Sequence, residues 1–398
     1  MSIFSKEEIA RFRDETKGTQ YVIHLNNAGA ALSPDPVVRA QMDYLEREAE
    51  IGGYEVNREK KEELDRLYMI AASWLNCNSG NIAYTDSATT GWLRAIYAIP
   101  FQSGDSILTS EIEYATNYLS YLHLSRQIGV QIRTIHSDQY GRVDLNHLED
   151  QLDESTRLVA ITHVPTNSGI INPVEEIGNM LKGRDTWYLI DACQSAGQVP
   201  LDVQKLNCDF LSVTGRKYLR GPRSSGLLYA SDRALSESTP LTIDLHSAEW
   251  TDAEDYEIHS DAQRFEQWEQ NLSGKTGLAQ AIDYYLNAGS KTVFNTLVHH
   301  AKLLRNQLQQ MEGVSVYDAG GEQGGIVTFD PNVDPVQLKE QLSQHAFNVS
   351  VSPLSSTLLD MKRRGYKDLI RASVHYYNTE EEILRFAEIL EELIRNQR

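Results

Sequence analysis

Through about residue 230 the chain alternates short apolar runs with longer amphipathic ones, and that rhythm leaves few folds open. IAYT at 82–85, SILTS at 106–110, VQIRTI at 130–135 and LVAITHV at 158–164 have the length and apolar character of strands. Between and around them, residues 36–49, 61–75, 89–98, 117–128 and 173–181 repeat apolar side chains at helical spacing. Strands that alternate with helices build a sheet covered by helices on both faces, so an α/β fold is expected. From about residue 272 the pattern changes to two long amphipathic helices, short strands near 314–316 and 325–329, a helix from Pro335 and a last helix from Thr379. This predicts a large domain over 21–271 and a smaller α+β domain over 272–398, which takes in residues 1–20. The acidic stretch 250–261 is expected to be the loop between them.

Charge and cysteine usage remove several function classes. Lys+Arg 37 against Asp+Glu 56 gives a net charge of −19, which argues against nucleic acid or an anionic membrane as partner. No apolar run approaches the roughly 20 residues that span a bilayer. The N-terminal MSIFSKEEIARFRDET is charged and helix-like, without a signal-peptide core, so residence in the cytoplasm is expected. Cys77, Cys193 and Cys208 form no CxxC pair, and neither a metal site nor a disulfide framework is expected. GxGxxG and GxxxxGK[ST] stretches are absent, which speaks against a plain nucleotide-binding protein.

The segment 188–226 carries the chemistry. One apolar run, 187–190, delivers Asp191 at its end, and a second, 209–213, delivers Thr214 and then Lys217. Strand ends of an α/β sheet are where ligands sit. A lysine there that loses its proton can attack a carbonyl, and a buried carboxylate can pair with a pyridinium nitrogen. These groups together describe a pyridoxal phosphate site.

The segment resembles the class V aminotransferase group of fold type I pyridoxal phosphate enzymes, which includes cysteine desulfurases, carbon-sulfur lyases and isopenicillin N epimerase. LNNAGAALSP at 25–34, EIGGYE at 50–55, TDSATT at 85–90, THVPTNSGIINP at 162–173 and RASVHYYNTEEEI at 371–383 extend the resemblance, in order, over most of the chain. It implies a mostly parallel seven-stranded sheet in the large domain, pyridoxal 5'-phosphate as cofactor, an amino acid as substrate, and a homodimer with shared sites. It also implies roles. Lys217 would hold the cofactor's aldehyde carbon and move protons at the substrate α carbon. Asp191 would keep the pyridine nitrogen protonated, and Gln194 would bond the ring hydroxyl oxygen, with Thr166 and Asn167 competing for a place beside it. Tyr114 would stack on the ring. Ala88, Thr89 and Thr214 would hold the phosphate, with Thr251 reaching it across the dimer. Arg371 would clamp the substrate carboxylate, and Asn27, Ala28 and Gly29 would close over the substrate. His375, Tyr376 and Tyr377 would line or support the pocket.

Two departures from the desulfurase pattern narrow the reaction. The stretch 349–365 has no cysteine, where desulfurases carry the mobile thiol that accepts sulfur. Arg216 replaces a histidine before the lysine, and with Arg220 and Arg223 it makes a cationic loop for the phosphate or for a second acidic group. The turn after Arg223 reads GPRS, not GPRG, and Cys193 is expected to pack into the sheet. The resulting expectation is β-elimination by a carbon-sulfur lyase acting on cystine or an S-substituted cysteine. Amino transfer or epimerisation is the alternative, and persulfide formation is disfavoured.

Overall fold

The computed structural model describes residues 2–318, 320–321 and 323–397. After a short strand β1 (Ile23–His24), the chain lays down β2 (Ile82–Thr85), β3 (Ser106–Ser110), β4 (Gln131–Ile135), β5 (Thr156–Thr162), β6 (Trp187–Asp191), β7 (Phe210–Thr214) and β8 (Gly226–Ala230). The last seven form one sheet in the order β2-β8-β7-β6-β5-β3-β4. All its neighbours run parallel except β8, which is antiparallel to both β2 and β7. The expected α/β architecture is therefore present.

The strand sequences explain why both faces are covered. Successive side chains of a strand point to opposite faces. Leu158 and Ala160 enter a core with Trp92, Ile96 and Tyr121, whereas Val159 and Ile161 enter a second core with Ile177 and Leu181. A strand buried on both sides has no polar face, which is why the middle of β5, LVAI at 158–161, is an unbroken apolar run.

Beyond β8 the acidic stretch expected to be a loop forms a hairpin, β9 (Ala248–Asp252) with β10 (Asp255–Ile258). Most of its residues are exposed, so it has no apolar alternation to betray a strand. The chain then adds β11 (Ser315–Val316), β12 (Ile326–Asp330), β13 (Phe347–Asn348), β14 (Ser350–Ser352) and β15 (Leu369–Ser373). Four of these make an antiparallel sheet in the order β11-β12-β15-β14. The N-terminal residues pack on this part of the chain: β1 pairs with β13, and Phe4 and Phe12 meet the Tyr376 ring edge-on. One of the two main cores runs on from Val213 and Leu227 of the large sheet to Val327 and Ala372 of the small one. Among the described residues no helix is long and apolar enough to cross a membrane.

Candidate active site

The C-terminal ends of β3, β5, β6 and β7 share one edge of the sheet, where the chain order reverses between β3 and β5. Such an edge collects ligand-binding groups. Asp191, the last residue of β6, is buried; its Oδ1 accepts from the Cys193 N–H at 2.8 Å and its Oδ2 from the Asn117 amide at 2.8 Å. Tyr114 stands at the start of the helix Ala115–Ile128 with its ring partly exposed. Thr214 closes β7, and the Lys217 loop follows.

Within that loop the backbone turns tightly, with the Arg220 N–H bonded to the Lys217 carbonyl at 2.8 Å and Arg220 itself at φ 62°. The Lys217 amine takes no hydrogen bond or ion pair from any described residue. Burial holds it below the ordinary lysine range; Arg216 and Arg371 push the same way, and Asp191 opposes them. Arg216 is half-buried and also without a hydrogen-bonded partner on its side chain. The cationic loop is smaller than expected. Arg220 is buried, donating to the Leu32 carbonyl at 2.9 Å, the Tyr376 hydroxyl at 2.9 Å and Thr16, with three tyrosine rings around its guanidinium. It is thus spent on the fold. Ser224 takes φ 53° in the GPRS turn, a left-handed position that a glycine would hold without strain.

Cys193 also departs from expectation. It lies past the end of β6, outside the sheet, and its thiol feels the charges of Lys217, Asp191 and Arg216. Burial pushes it up to about 12, so it stays a neutral thiol.

The amide of Gln194 donates to the Ala28 carbonyl at 3.1 Å and the Thr166 hydroxyl at 3.3 Å, while its buried Oε1 has no partner. Asn167 donates to Thr357 at 2.6 Å, and its Oδ1 is likewise unpaired. Arg371 on β15 reaches across to the Thr166 carbonyl at 2.8 Å and hydroxyl at 3.0 Å, and to Ser350 at 3.1 Å, through Nη1 and Nε. Its Nη2 edge is left over. Ala88 and Thr89 open the helix Ala88–Ala98, whose Ser87 cap accepts only from Thr90, at 3.1 Å. The first N–H groups of that helix therefore have no helical acceptor. Ser212 of β7 donates to the Ala88 carbonyl at 2.8 Å and draws this turn toward Thr214.

Above these groups lies the segment with Asn27, Ala28 and Gly29. The Asn27 amide is occupied by the Ser373 carbonyl at 2.7 Å, the His24 carbonyl at 3.2 Å and the Tyr377 hydroxyl, so it pins the segment down. The Ala28 N–H meets Ser373 Oγ at 2.9 Å and that of Gly29 the Asn26 carbonyl at 3.0 Å. His375, stacked between Tyr218 and Tyr377, is fully buried. Thr251 stands apart, exposed on β9, and no described residue hydrogen-bonds its side chain.

Sequence reasoning missed Glu113. It is buried and accepts from Thr109 at 2.9 Å, Asn117 at 3.0 Å, the Tyr114 N–H at 2.7 Å, Tyr121 at 3.3 Å and Thr162. Burial, with the nearby Asp191 charge, pushes its carboxyl up to about 7 against these donors. The one available signal was an acid directly before the candidate stacking residue.

The aminotransferase class-V family model matches residues 23–386. A probable cysteine desulfurase of Methanothermobacter thermautotrophicus is 30% identical over 378 residues, which cover 93% of this chain and 94% of that protein. Another from Pyrococcus abyssi is 29% identical over 390 residues, 96% of each. The apo cysteine desulfurase of Thermococcus onnurineus NA1 superposes over 100% of both chains with a TM-score of 0.91 at 27% identity. The cystine C-S lyase C-DES, in complex with its product cysteine persulfide, shares the fold with a TM-score of 0.86 over 95% of this chain and 99% of its own, at 23% identity.

Proposed function

The chain belongs to the class-V aminotransferase family of pyridoxal 5'-phosphate enzymes, and on that premise we propose that it is a carbon-sulfur lyase. Its substrate would be cystine or an S-substituted cysteine, and its products pyruvate, ammonia and the released sulfur compound. The observation that carries this reading is the want of a thiol able to take sulfur. The segment 349–365 has no cysteine, Cys208 is buried, and burial pushes both Cys77 and Cys193 up to about 12. Persulfide formation requires an accessible thiolate. With no cysteine in 349–365, the reading is that the sulfur leaves on its own substituent. The desulfurase names of the relatives keep a sulfur amino acid in view.

The residues suit the cofactor. Unpaired buried amide oxygens on Gln194 and Asn167, a free amine on Lys217 and an open helix N-terminus at Ala88 and Thr89 are the polar groups that a hydroxylated pyridine with a phosphate arm would satisfy. When bound, pyridoxal phosphate takes up the electron pair left at the substrate α carbon. Lys217, neutral more readily than an ordinary lysine, would hold the cofactor through its aldehyde carbon and would accept the α proton on Nζ. The Cβ–S bond then breaks with its electron pair leaving on sulfur. Asp191 supplies the negative charge that keeps the pyridine nitrogen protonated. Gln194, with Thr166 or Asn167, orients the ring hydroxyl, and Tyr114 covers one face. Ala88, Thr89, Thr214 and Arg216 hold the phosphate. The free Nη2 edge of Arg371 takes the substrate carboxylate, under the segment of Asn27, Ala28 and Gly29.

We further infer a homodimer. Leu241, Leu245, Trp250, Tyr256 and Trp268 are each half or more exposed, and Trp250 and Tyr256 stand paired beside Thr251 on the hairpin. Covering them with a second copy would bring Thr251 to the partner's phosphate.

The deciding experiment incubates purified enzyme with L-cystine, with and without a keto acid, using Lys217→Ala as blank. Pyruvate released without a keto acid is the expected result. Cystine left intact, or pyruvate-free consumption that depends on the keto acid, would replace elimination by epimerisation or amino transfer.

A further inference from the structure

Three strand ends meet at one buried carboxylate. Thr109 of β3 and Thr162 of β5 both donate to Glu113, and Asn117, one helical turn on, donates to it at 3.0 Å and to Asp191 of β6 at 2.8 Å. Glu113 lies two residues before the helix Ala115–Ile128 and Asn117 in its first turn, and there the single Asn117 amide spans both acids. Its two N–H bonds are both used, one on each carboxylate, and the reverse orientation would set the amide oxygen against two acids. The same Glu113 accepts the Tyr114 backbone N–H at 2.7 Å. All of these groups except Tyr114 are buried.

We propose that Glu113 and Asn117 are positioning residues for the cofactor ring: Glu113 sets the Tyr114 backbone and the Asn117 amide, and Asn117 sets the Asp191 carboxylate. One buried group would then register the acid that meets the ring nitrogen with the aromatic ring that covers its face. The inference rests on the reading that the ring lies between Tyr114 and Asp191. Without Asn117, Asp191 keeps only the Cys193 N–H and faces a second carboxylate with nothing between them. Neither residue touches substrate, so the effect belongs in how the cofactor is held.

The test measures visible circular dichroism of the bound cofactor, its dissociation constant by equilibrium dialysis, and the melting temperature. The proteins are the wild-type holoenzyme and its Asn117→Leu, Glu113→Gln, Glu113→Leu and Asp191→Asn variants. Asn117→Leu keeps the size and loses the bridge; its cofactor dichroism should fall to less than half, and its dissociation constant should rise about tenfold. Glu113→Gln can keep its oxygen toward Asn117 and Tyr114 while its NH₂ donates to the Thr109 and Tyr121 hydroxyls, so it should stay close to wild type where Glu113→Leu does not. That contrast stands even if Asn117→Leu fails to fold. Unchanged dichroism and affinity in Asn117→Leu, beside a clear change in Asp191→Asn, would overturn the proposal and leave the cofactor site intact. A melting temperature lowered equally in Glu113→Gln and Glu113→Leu, with wild-type dichroism in both, would also overturn it. No change in Asp191→Asn would instead remove the underlying reading of the ring.

Discussion

An amine held like Lys217, half-buried and without a hydrogen bond from any described residue, gains by losing its proton, and its neighbours tune how much. Arg216 is the adjustable neighbour, because no described acid pairs with it and its side chain is half-exposed. Its positive charge opposes protonation of Lys217, so taking it away must raise the lysine's proton affinity. Arg216→Gln is therefore expected to move the pH at which apoenzyme captures pyridoxal phosphate upward and to slow capture at pH 7 several-fold; stopped-flow absorbance against pH reads both. The sign is fixed by the charge: a midpoint that moves down would mean that Arg216 does not face the amine. A loss of affinity without any shift would assign Arg216 to the phosphate alone. The stability linkage has the same origin. With the folded value depressed, the unfolded chain binds the extra proton between that value and 10.5, so apoenzyme stability rises with pH across that window. Below the window the buried charge is a cost, and Lys217→Met should raise the apoenzyme melting temperature by a few degrees at pH 6 and by less at pH 10.

The segment over the site is an element held by its backbone. Its anchors are the Ala31 N–H on the Arg216 carbonyl at 2.9 Å, the Leu32 carbonyl on Arg220 at 2.9 Å, and the Ala28 carbonyl on Gln194 at 3.1 Å. Arg220 joins this segment to Thr16 and to Tyr376, so three distant stretches close on one guanidinium. Hydrogen bonds to a charged group are worth roughly 1.5–3 kcal/mol each, and deleting the guanidinium leaves buried acceptors unpaired. Arg220→Met should thus cost on the order of 3 kcal/mol in chemical denaturation, and a change under about 1 kcal/mol would contradict the clamp. How much of this was legible depends on range. The helix Lys61–Leu75 has the ends its pattern predicts, because Asn76 stops it in a left-handed turn, a purely local event. The ends of β6 and β7 are equally readable, since buried strands are continuous apolar runs, and they deliver Asp191, Thr214 and Lys217. The β9-β10 hairpin was not readable, for it buries almost nothing along either strand. Nor was the Glu113 network, whose partners lie on strands that only the pairing order brings side by side. Arg220 looked like part of a cationic loop for the same reason: nothing local reveals that Thr16 and Tyr376 come to meet it.

At the scale of the whole molecule, two of the threonines proposed for the phosphate are open to solvent. Thr89 is exposed at the helix opening, and Thr251 is exposed on a hairpin that buries almost none of itself. An isolated two-stranded hairpin is marginal in water, so an ordered one with Trp250 and Tyr256 on its surface wants a covering. A stable interface buries about 800 Å² per partner or more, and Leu241, Leu245 and Trp268 are further large apolar side chains left exposed on the chain. The net charge of −19 on each chain opposes association, and salt should relieve that opposition. Two variants then separate assembly from binding. Trp250→Glu adds charge to the apolar surface and should shift the molar mass in light scattering from dimer toward monomer, more so at low salt, with cofactor lost as the dimer dissociates. Thr251→Ala removes only a hydroxyl and should leave the mass unchanged while weakening cofactor binding several-fold. A monomeric Trp250→Glu protein that still binds cofactor as tightly as wild type would show that each chain completes its own site. In that event the phosphate would rest on Ala88, Thr89, Thr214 and Arg216 alone, and the Thr251 variant would be silent.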